Sequence, residues 1–318
     1  MLYKASAPGS LMLMGEYAVL HGKQALVCAI DKRITVTLEP VATNKIIVKS
    51  RLGNFETDII DCNIQPPFQF VLAAIASIKE HLTQGFKLTI ESEFSERIGF
   101  ASSAAVTVAT LSALAAYLNQ PLSNIELIKK AKRVVFAVQG LGSGADVAAC
   151  VTGGIIAYRS NPLLVEALPG MYPLTVLYSG KKVKTVEAVT RVAAYFANHP
   201  SIFKRICRTI DSCVEDGIDA VYSRNWEKLG NLMRVNQGLL SALQVNTPAL
   251  QTLIEILNAD SNILGAKISG SGFGDCVIGL GATKNALNEA IPVSMTGLGV
   301  KCETLQTSTK HDLAPVTS

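Results

Sequence analysis

The sequence predicts a mixed α+β protein in two domains, and three observations carry that reading. Strand-like stretches rich in β-branched residues alternate with helical ones over the first half. The second half is dominated by helical stretches that lead into two short apolar strands. Between the halves, residues 160–173 carry prolines and a glycine where regular structure should break, so the boundary is placed there, giving domains 1–165 and 166–318. In order, residues 2–7, 25–38 and 45–49 read as strands, 67–81 as a helix and 86–93 as a strand. A helix over 103–118 follows, then a turn at Gln120-Pro121. A second helix runs over 123–138, opened by the capping-box pair Ser123 and Glu126. Residues 155–158 form a strand, and another begins at Leu174. Helices are predicted over 186–198, 201–221, 226–242 and 247–257, strands over 266–269 and 276–280, and a polar, poorly ordered tail from about residue 306.

Three glycine-rich segments carry the chemistry. The run Glu96-Arg-Ile-Gly-Phe-Ala-Ser-Ser-Ala-Ala105 passes directly into an alanine-rich helix. Gly99 and Ala101 leave room for close backbone approach, Ser102 and Ser103 offer hydroxyls, and the uncovered amides of a new helix face an anion. An ordinary serine cap on a buried helix is the competing reading. The second segment is Gln139-Gly-Leu-Gly-Ser-Gly-Ala-Asp146, a small-residue loop ending on one carboxylate. The third is Gly265-Ala-Lys-Ile-Ser-Gly-Ser-Gly-Phe-Gly-Asp-Cys276. Three such loops in one chain exceed what ordinary turns require. None fits the G-x-x-x-x-G-K-[ST] loop or a dinucleotide fingerprint.

Composition narrows the class. Of 318 residues, 49% are hydrophobic and 17% charged, which suits a packed globular chain with a substantial core. The net charge of +4 is compatible with anionic small-molecule substrates. No basic run interleaved with aromatics points to nucleic acid, and no apolar run reaches the ~18 residues of a membrane helix. Seven scattered cysteines lack zinc-type spacing and are expected to be reduced and mostly buried. With no charged-then-apolar leader at Met1, a cytoplasmic location is expected.

Together with Ser6-Ala-Pro-Gly-Ser-Leu-Met-Leu-Met-Gly-Glu-Tyr-Ala-Val-Leu-His-Gly22, the three loops resemble, in the same order, those of the galactokinase, homoserine kinase, mevalonate kinase and phosphomevalonate kinase superfamily. The resemblance spans nearly the whole chain. It implies an N-terminal α+β domain with a left-handed βαβ crossover, a C-terminal ferredoxin-like domain and an active site in the cleft between them. It also implies phosphoryl transfer with ATP and Mg2+, chemistry that asks the protein mainly to position, to screen charge and to handle one proton. Asp146 matches the superfamily's Ser-Gly-x-Asp aspartate, the base or orienting group for the acceptor oxygen. Ser103 matches the magnesium-ligating serine. Gly99, Ala101, Ser102, Ser103, Ala104 and Ala105 are expected to hold ATP, with Gly270, Ser271 and Gly272 closing over its phosphates. Glu16, Tyr17, Ser143, Gly144, Lys182 and Thr185 are the expected acceptor contacts. A homodimer is a further expectation for the chain.

Two departures bear on activity and substrate. Ser10 stands where the superfamily usually has a lysine beside the transferred phosphate, so another cation is needed; Lys23, Lys181, Lys182 and Lys184 are the candidates, each also readable as a solvated surface lysine. Ser10 also leaves open a non-catalytic paralogue that only binds ATP or a metabolite. Mevalonate kinases carry a magnesium-binding glutamate eleven positions before the aspartate, where this chain has Val135. That absence resembles phosphomevalonate kinases, as do Gly15-Glu-Tyr17, Asp146-Val-Ala-Ala and the Gly-Asp-Cys ending at Cys276. The three lysines at 181, 182 and 184 suit an acceptor that already bears a phosphate. Conversely, Leu20-His-Gly-Lys-Gln-Ala-Leu26 is closer to mevalonate kinases. The expectation is therefore an ATP-dependent kinase extending 5-phosphomevalonate to the diphosphate, with mevalonate as the alternative acceptor.

Overall fold

The computed structural model describes residues 1–284, 290–291 and 293–306. The predicted polar tail beyond residue 306 lies outside them. Twelve strands and eight α-helices form among the described residues. The strands are β1 (Leu2–Met14), β2 (Gln24–Pro40), β3 (Lys45–Ser50), β4 (Gly53–Asp58), β5 (Phe86–Ser92), β6 (Ile155–Ser160), β7 (Leu163–Leu168), β8 (Leu174–Tyr178), β9 (Ala266–Ser269), β10 (Cys276–Leu280), β11 (Ala290–Ile291) and β12 (Lys301–Leu305). The helices are α1 (Gln69–Ala76), α2 (Ser102–Tyr117), α3 (Asn124–Gln139), α4 (Ala145–Thr152), α5 (Thr185–Tyr195), α6 (Pro200–Tyr222), α7 (Trp226–Ala242) and α8 (Pro248–Asn258).

The larger sheet runs β12-β1-β2-β5-β3-β4, with β6 and β7 attached through β2. The long β2 makes this branching possible: its residues 34–40 pair with β5, and its residues 24–28 pair with β6. β3 and β5 are parallel, while their neighbours are antiparallel. The smaller sheet runs β11-β8-β10-β9, antiparallel throughout. Numbered along this domain, that is the order 4-1-3-2 of a ferredoxin-like fold.

α2 fixes the site. Ala104, Ala105, Thr107, Val108, Ala109, Thr110, Leu111, Ala113 and Leu114 are all buried, so the helix is wrapped on most sides and packs on β1 and β2. Its small side chains allow that close approach, and the Thr107 hydroxyl donates to the Ser103 carbonyl at 2.7 Å, bracing the first turn. α3 opens with the expected Ser123–Glu126 capping box.

Several expectations need correcting. β1 continues to Met14 instead of stopping at Ala7, because the strand absorbs Pro8-Gly9 as a register shift, where a missing amide costs least. Residues 145–152 form α4, hidden in the sequence by glycine and alanine. The predicted boundary at 160–173 contains β7, which pairs with β6, so the larger sheet runs past residue 165. β12 leaves the predicted 166–318 domain altogether: Leu2 to Ser6 of β1 pair with Leu305 to Lys301. The C-terminal part of the chain thus returns to the first sheet.

Candidate active site

The N-terminal strand is where the predicted loops meet. The Ser10 amide donates to the Phe100 carbonyl at 3.3 Å, reaching the first glycine loop. The Ser10 hydroxyl donates to Asp146 Oδ1 at 2.9 Å, reaching the second. Met12 exchanges bonds with Ser269, its amide donating to Ser269 Oγ at 3.0 Å and its carbonyl accepting from that hydroxyl at 3.2 Å. Tyr17 donates to the Ser271 carbonyl at 2.6 Å, so both contacts reach the third loop. Segments more than 250 residues apart in sequence are thereby fastened to one edge.

In the first loop, Ala101 takes φ +54° as the residue before α2 and turns the chain so that the helix begins at Ser102. Helix geometry leaves the amides of Ser102, Ser103 and Ala104 without intrahelical acceptors, a cradle for an anion. Ala105 is a correction: its amide donates to the Ala101 carbonyl at 3.1 Å and is already spent.

In the second loop, Gly144 has φ +88°, and a Cβ there would sit 2.8 Å from both Lys132 Cδ and the Tyr158 hydroxyl. Only glycine fits. Tyr158 donates to the Ser143 carbonyl from behind, and Ser143 Oγ accepts from the Ala145 amide at 3.2 Å. Ser143 and Gly144 thus shape the loop that places Asp146 in the first turn of α4. Burial raises the Asp146 pKa above the usual carboxylate range; the Ser10 hydrogen bond opposes the shift, and the nearby Glu16 charge adds to it.

Glu16 and Tyr17 have work other than acceptor contact. Glu16 is 2% exposed and forms an ion pair with the fully buried Lys267 of β9, while Asn236 of α7 donates to Glu16 Oε2 at 3.3 Å. Lys267 also donates to the Ile268 carbonyl. Burial lowers the Lys267 pKa, and Glu16 counteracts this. Tyr17, 5% exposed, is engaged by Ser271, and burial raises its pKa. Both side chains lock the N-terminal segment to the smaller sheet. Lys267, Asn236 and Ser269 escaped the sequence reading; the available signal was a lysine inside the apolar strand 266–269 and a glutamate inside an equally apolar N-terminal run.

The third loop turns at Gly270 and Gly272, which both have positive φ, and the Phe273 amide donates to the Val245 carbonyl at 2.8 Å. Its last member, Asp275, packs directly behind the first loop: a Cβ on Gly99 would meet Asp275 Cβ at 3.1 Å. Asp275 is 8% exposed, and its Oδ1 has no hydrogen-bond partner among the described residues. Burial pushes its pKa up from 3.8 to about 6, against the pull of Lys182.

Of the candidate cations, Lys23 is taken by Asp211 at 2.8 Å. Lys182 donates to the Glu96 carbonyl at the start of the first loop. Lys184 precedes α5, and Thr185, its first residue, is exposed. Val135 lies on the buried side of α3, 9% exposed.

Asp275 carries a pH prediction. Its folded pKa lies above its unfolded value, so between pH 3.8 and about 6 the folded chain holds a proton that the unfolded chain has released, and stability falls as pH rises through that window. The ionisable groups around it are Lys182, Tyr178, Cys276 and, through Tyr178, Arg97. Asp275→Asn should therefore raise the unfolding free energy at pH 7.5 by up to on the order of 3 kcal/mol and change it little at pH 4. Denaturant titrations at the two pH values check this, and an equal effect at both would refute the assignment.

Comparison with known proteins agrees with this geometry. The GHMP kinases N terminal domain model matches residues 69–154, and the GHMP kinases C terminal model matches residues 218–292. A mevalonate kinase of Pyrococcus furiosus is 33% identical over 303 residues, 88% of this chain and 89% of that protein. The chain belongs to the GHMP kinase family. Among solved structures, the Methanococcus jannaschii mevalonate kinase superposes on this GHMP kinase with a TM-score of 0.75 at 27% identity, covering 89% of this chain and 90% of that one. A phosphomevalonate kinase of Streptococcus pneumoniae, in complex with phosphomevalonate and AMPPNP, gives 0.74 at 21% identity over 87% and 92%, a likeness of fold. Among the described residues, no helix of this kinase is long and apolar enough to cross a membrane.

Proposed function

We propose that this GHMP kinase transfers the γ-phosphoryl group of ATP to the 5-hydroxyl of mevalonate. The observation that carries the chemistry is Asp146, held by Ser10 in the first turn of a helix at the meeting of the three glycine loops. The Ser10 bond occupies Oδ1 and leaves Oδ2 for the acceptor. As the acceptor oxygen attacks the γ-phosphorus and the bond to the ADP oxygen breaks, the acceptor proton passes to Asp146 or is oriented by it. The raised pKa makes Asp146 a better proton acceptor than an exposed aspartate. The amides of Ser102, Ser103 and Ala104 receive phosphate oxygens, with Gly270, Ser271 and Gly272 above them.

Magnesium suits this donor set. It is a hard cation that keeps several waters and needs few protein ligands when phosphates are present, and the Ser103 hydroxyl and the Asp146 carboxylate are oxygen donors of that kind. Among the described residues no cluster of three or more metal-ligating side chains exists, in keeping with a cation carried in largely by the nucleotide. When bound, magnesium screens the phosphate charge.

Mevalonate is favoured as acceptor by the relatives named mevalonate kinase, at 33% identity over nearly the whole chain. Two of the residues that pointed to phosphomevalonate have structural tasks: Tyr17 ties down Ser271, and Asp275 backs Gly99. The second reading, phosphomevalonate, keeps Val135 and the lysines at 181 and 184 in its favour. ADP release with ATP and magnesium, measured in parallel on mevalonate and 5-phosphomevalonate, tests the assignment. Turnover on mevalonate is expected; turnover confined to 5-phosphomevalonate would reverse the order, and none on either would favour a non-catalytic binding role.

A further inference from the structure

The buried carboxylate of Asp275 has no part in the chemistry above, yet its Oδ1 lacks a hydrogen-bond partner among the described residues, a costly arrangement for an ionisable group. Its backbone ties two loops together. The Asp275 amide donates to the Lys181 carbonyl at 2.7 Å, and the Asp275 carbonyl accepts from the Ser179 amide at 2.9 Å, so the 179–184 loop is fastened to the third glycine loop. The side chain then reaches forward against Gly99 of the first loop. Lys182 comes from the fastened loop and is the cation whose charge acts on Asp275, while its ammonium donates to the Glu96 carbonyl, three residues before Gly99. One carboxylate and one ammonium therefore bracket the entry to the phosphate-holding turn from two separate segments.

We propose that Lys182 is the side-chain cation of the nucleotide-phosphate pocket and that Asp275 is the positioning residue that holds it there. This rests on the kinase reading of the site and decides between the two places the sequence offered for Lys182, with the acceptor or as the cation standing in for the lysine absent at Ser10: its contact is with the first loop. Of the other lysines, the one expected beside Asp146 is replaced by Ser10, Lys23 is paired with Asp211 and Lys267 is buried on Glu16, while Lys181 and Lys184 are exposed and, among the described residues, donate to nothing in the first loop. An ammonium has three donors, and only one of those of Lys182 is engaged by Glu96, leaving the others for phosphate oxygens arriving over the amides of Ser102 to Ala104. The Asp275 backbone holds the segment that carries Lys182, through its bonds to Lys181 and Ser179, while its carboxylate, which forms no ion pair with Lys182 among the described residues, attracts the ammonium at longer range.

The test is calorimetric titration of the full-length protein with magnesium and the non-hydrolysable analogue AMPPNP, together with steady-state kinetics. Lys182→Met should weaken nucleotide binding by about 10-fold or more, and Lys182→Arg should restore most of it. Asp275→Asn should weaken it by a smaller factor, and Asp275→Asn combined with Lys182→Met should be no worse than Lys182→Met alone. The KM for the acceptor should stay constant throughout, and far-UV circular dichroism identifies any variant that fails to fold. Nucleotide affinity unchanged while the acceptor KM rises would return Lys182 to the acceptor side and overturn the proposal. Tighter nucleotide binding by Asp275→Asn would show a carboxylate that only repels phosphate, and would overturn it equally. Wild-type protein that binds no nucleotide would remove the kinase reading itself, whereas wild-type binding with unaffected variants would remove this inference alone.

Discussion

Asp146→Asn should lower turnover by about 10²- to 10⁴-fold, the usual contribution of a general base, while nucleotide binding stays within a few-fold of wild type. Asparagine preserves the size of the side chain and can still accept from Ser10, so the loop behind it, pinned by Tyr158 on the Ser143 carbonyl, has no reason to move. What disappears is the ability to take a proton. Rapid-quench measurement of a single turnover, paired with analogue binding, separates the two quantities. Near-normal turnover would mean that Asp146 is structural and that the acceptor proton leaves by another route. Parallel loss of turnover and nucleotide affinity would mean that the carboxylate organises the pocket instead of acting on the acceptor. Ser10→Ala should have a much smaller effect, because it removes one hydrogen bond that stabilises the charged form of Asp146 and so leaves the carboxylate more basic but less fixed.

The parts of the molecule that could be read in advance are those whose cause is local. A capping box is written in four consecutive residues, and Ser123 with Glu126 behaves accordingly. The glycine loops declare themselves because close approach needs the absence of a side chain, as at Gly144 beneath Tyr158 and Lys132. What escaped depends on partners far along the chain. β12 is exposed along its whole length, so it has no alternation of buried and exposed residues to betray it, and only its pairing with β1 makes it a strand. Residues 8–14 of β1 begin with Pro-Gly, a local signal for a turn that the neighbouring strand overrides. Glu16 and Tyr17 were legible as functional residues but not as to function: their partners, Lys267 and Ser271, lie 251 and 254 positions away, and chemistry alone does not tell a substrate ligand from a side chain that joins two domains. Asp275 shows the same limit, since nothing in Gly-Asp-Cys announces that the carboxylate packs behind Gly99.

Lys267→Met should destabilise the fold by about 3–5 kcal/mol, the largest stability effect expected in the molecule outside the hydrophobic core. Lys267 and Glu16 are both essentially excluded from water, and Asn236 and the Ile268 carbonyl complete their hydrogen bonding. Removing the ammonium leaves the Glu16 carboxylate buried with Asn236 as its one remaining side-chain hydrogen-bond partner among the described residues and the like charge of Asp146 nearby, and an unpaired buried charge costs far more than a matched pair stabilises. The asymmetry supplies the control. In the double variant Lys267→Met with Glu16→Leu no charge remains, and most of the lost stability should return; denaturant titration of the two single variants and the double gives the coupling directly. The pair also joins the segment after β1 to the smaller sheet, so function and stability should part company in the double variant. Its fold recovers, but the link that sets Ser10 and the third glycine loop at a fixed separation is replaced by apolar packing, and turnover should remain below wild type. Full recovery of both would show that the ion pair contributes only to folding, and a double variant as unstable as the singles would show that shape, not charge, is what this buried contact requires.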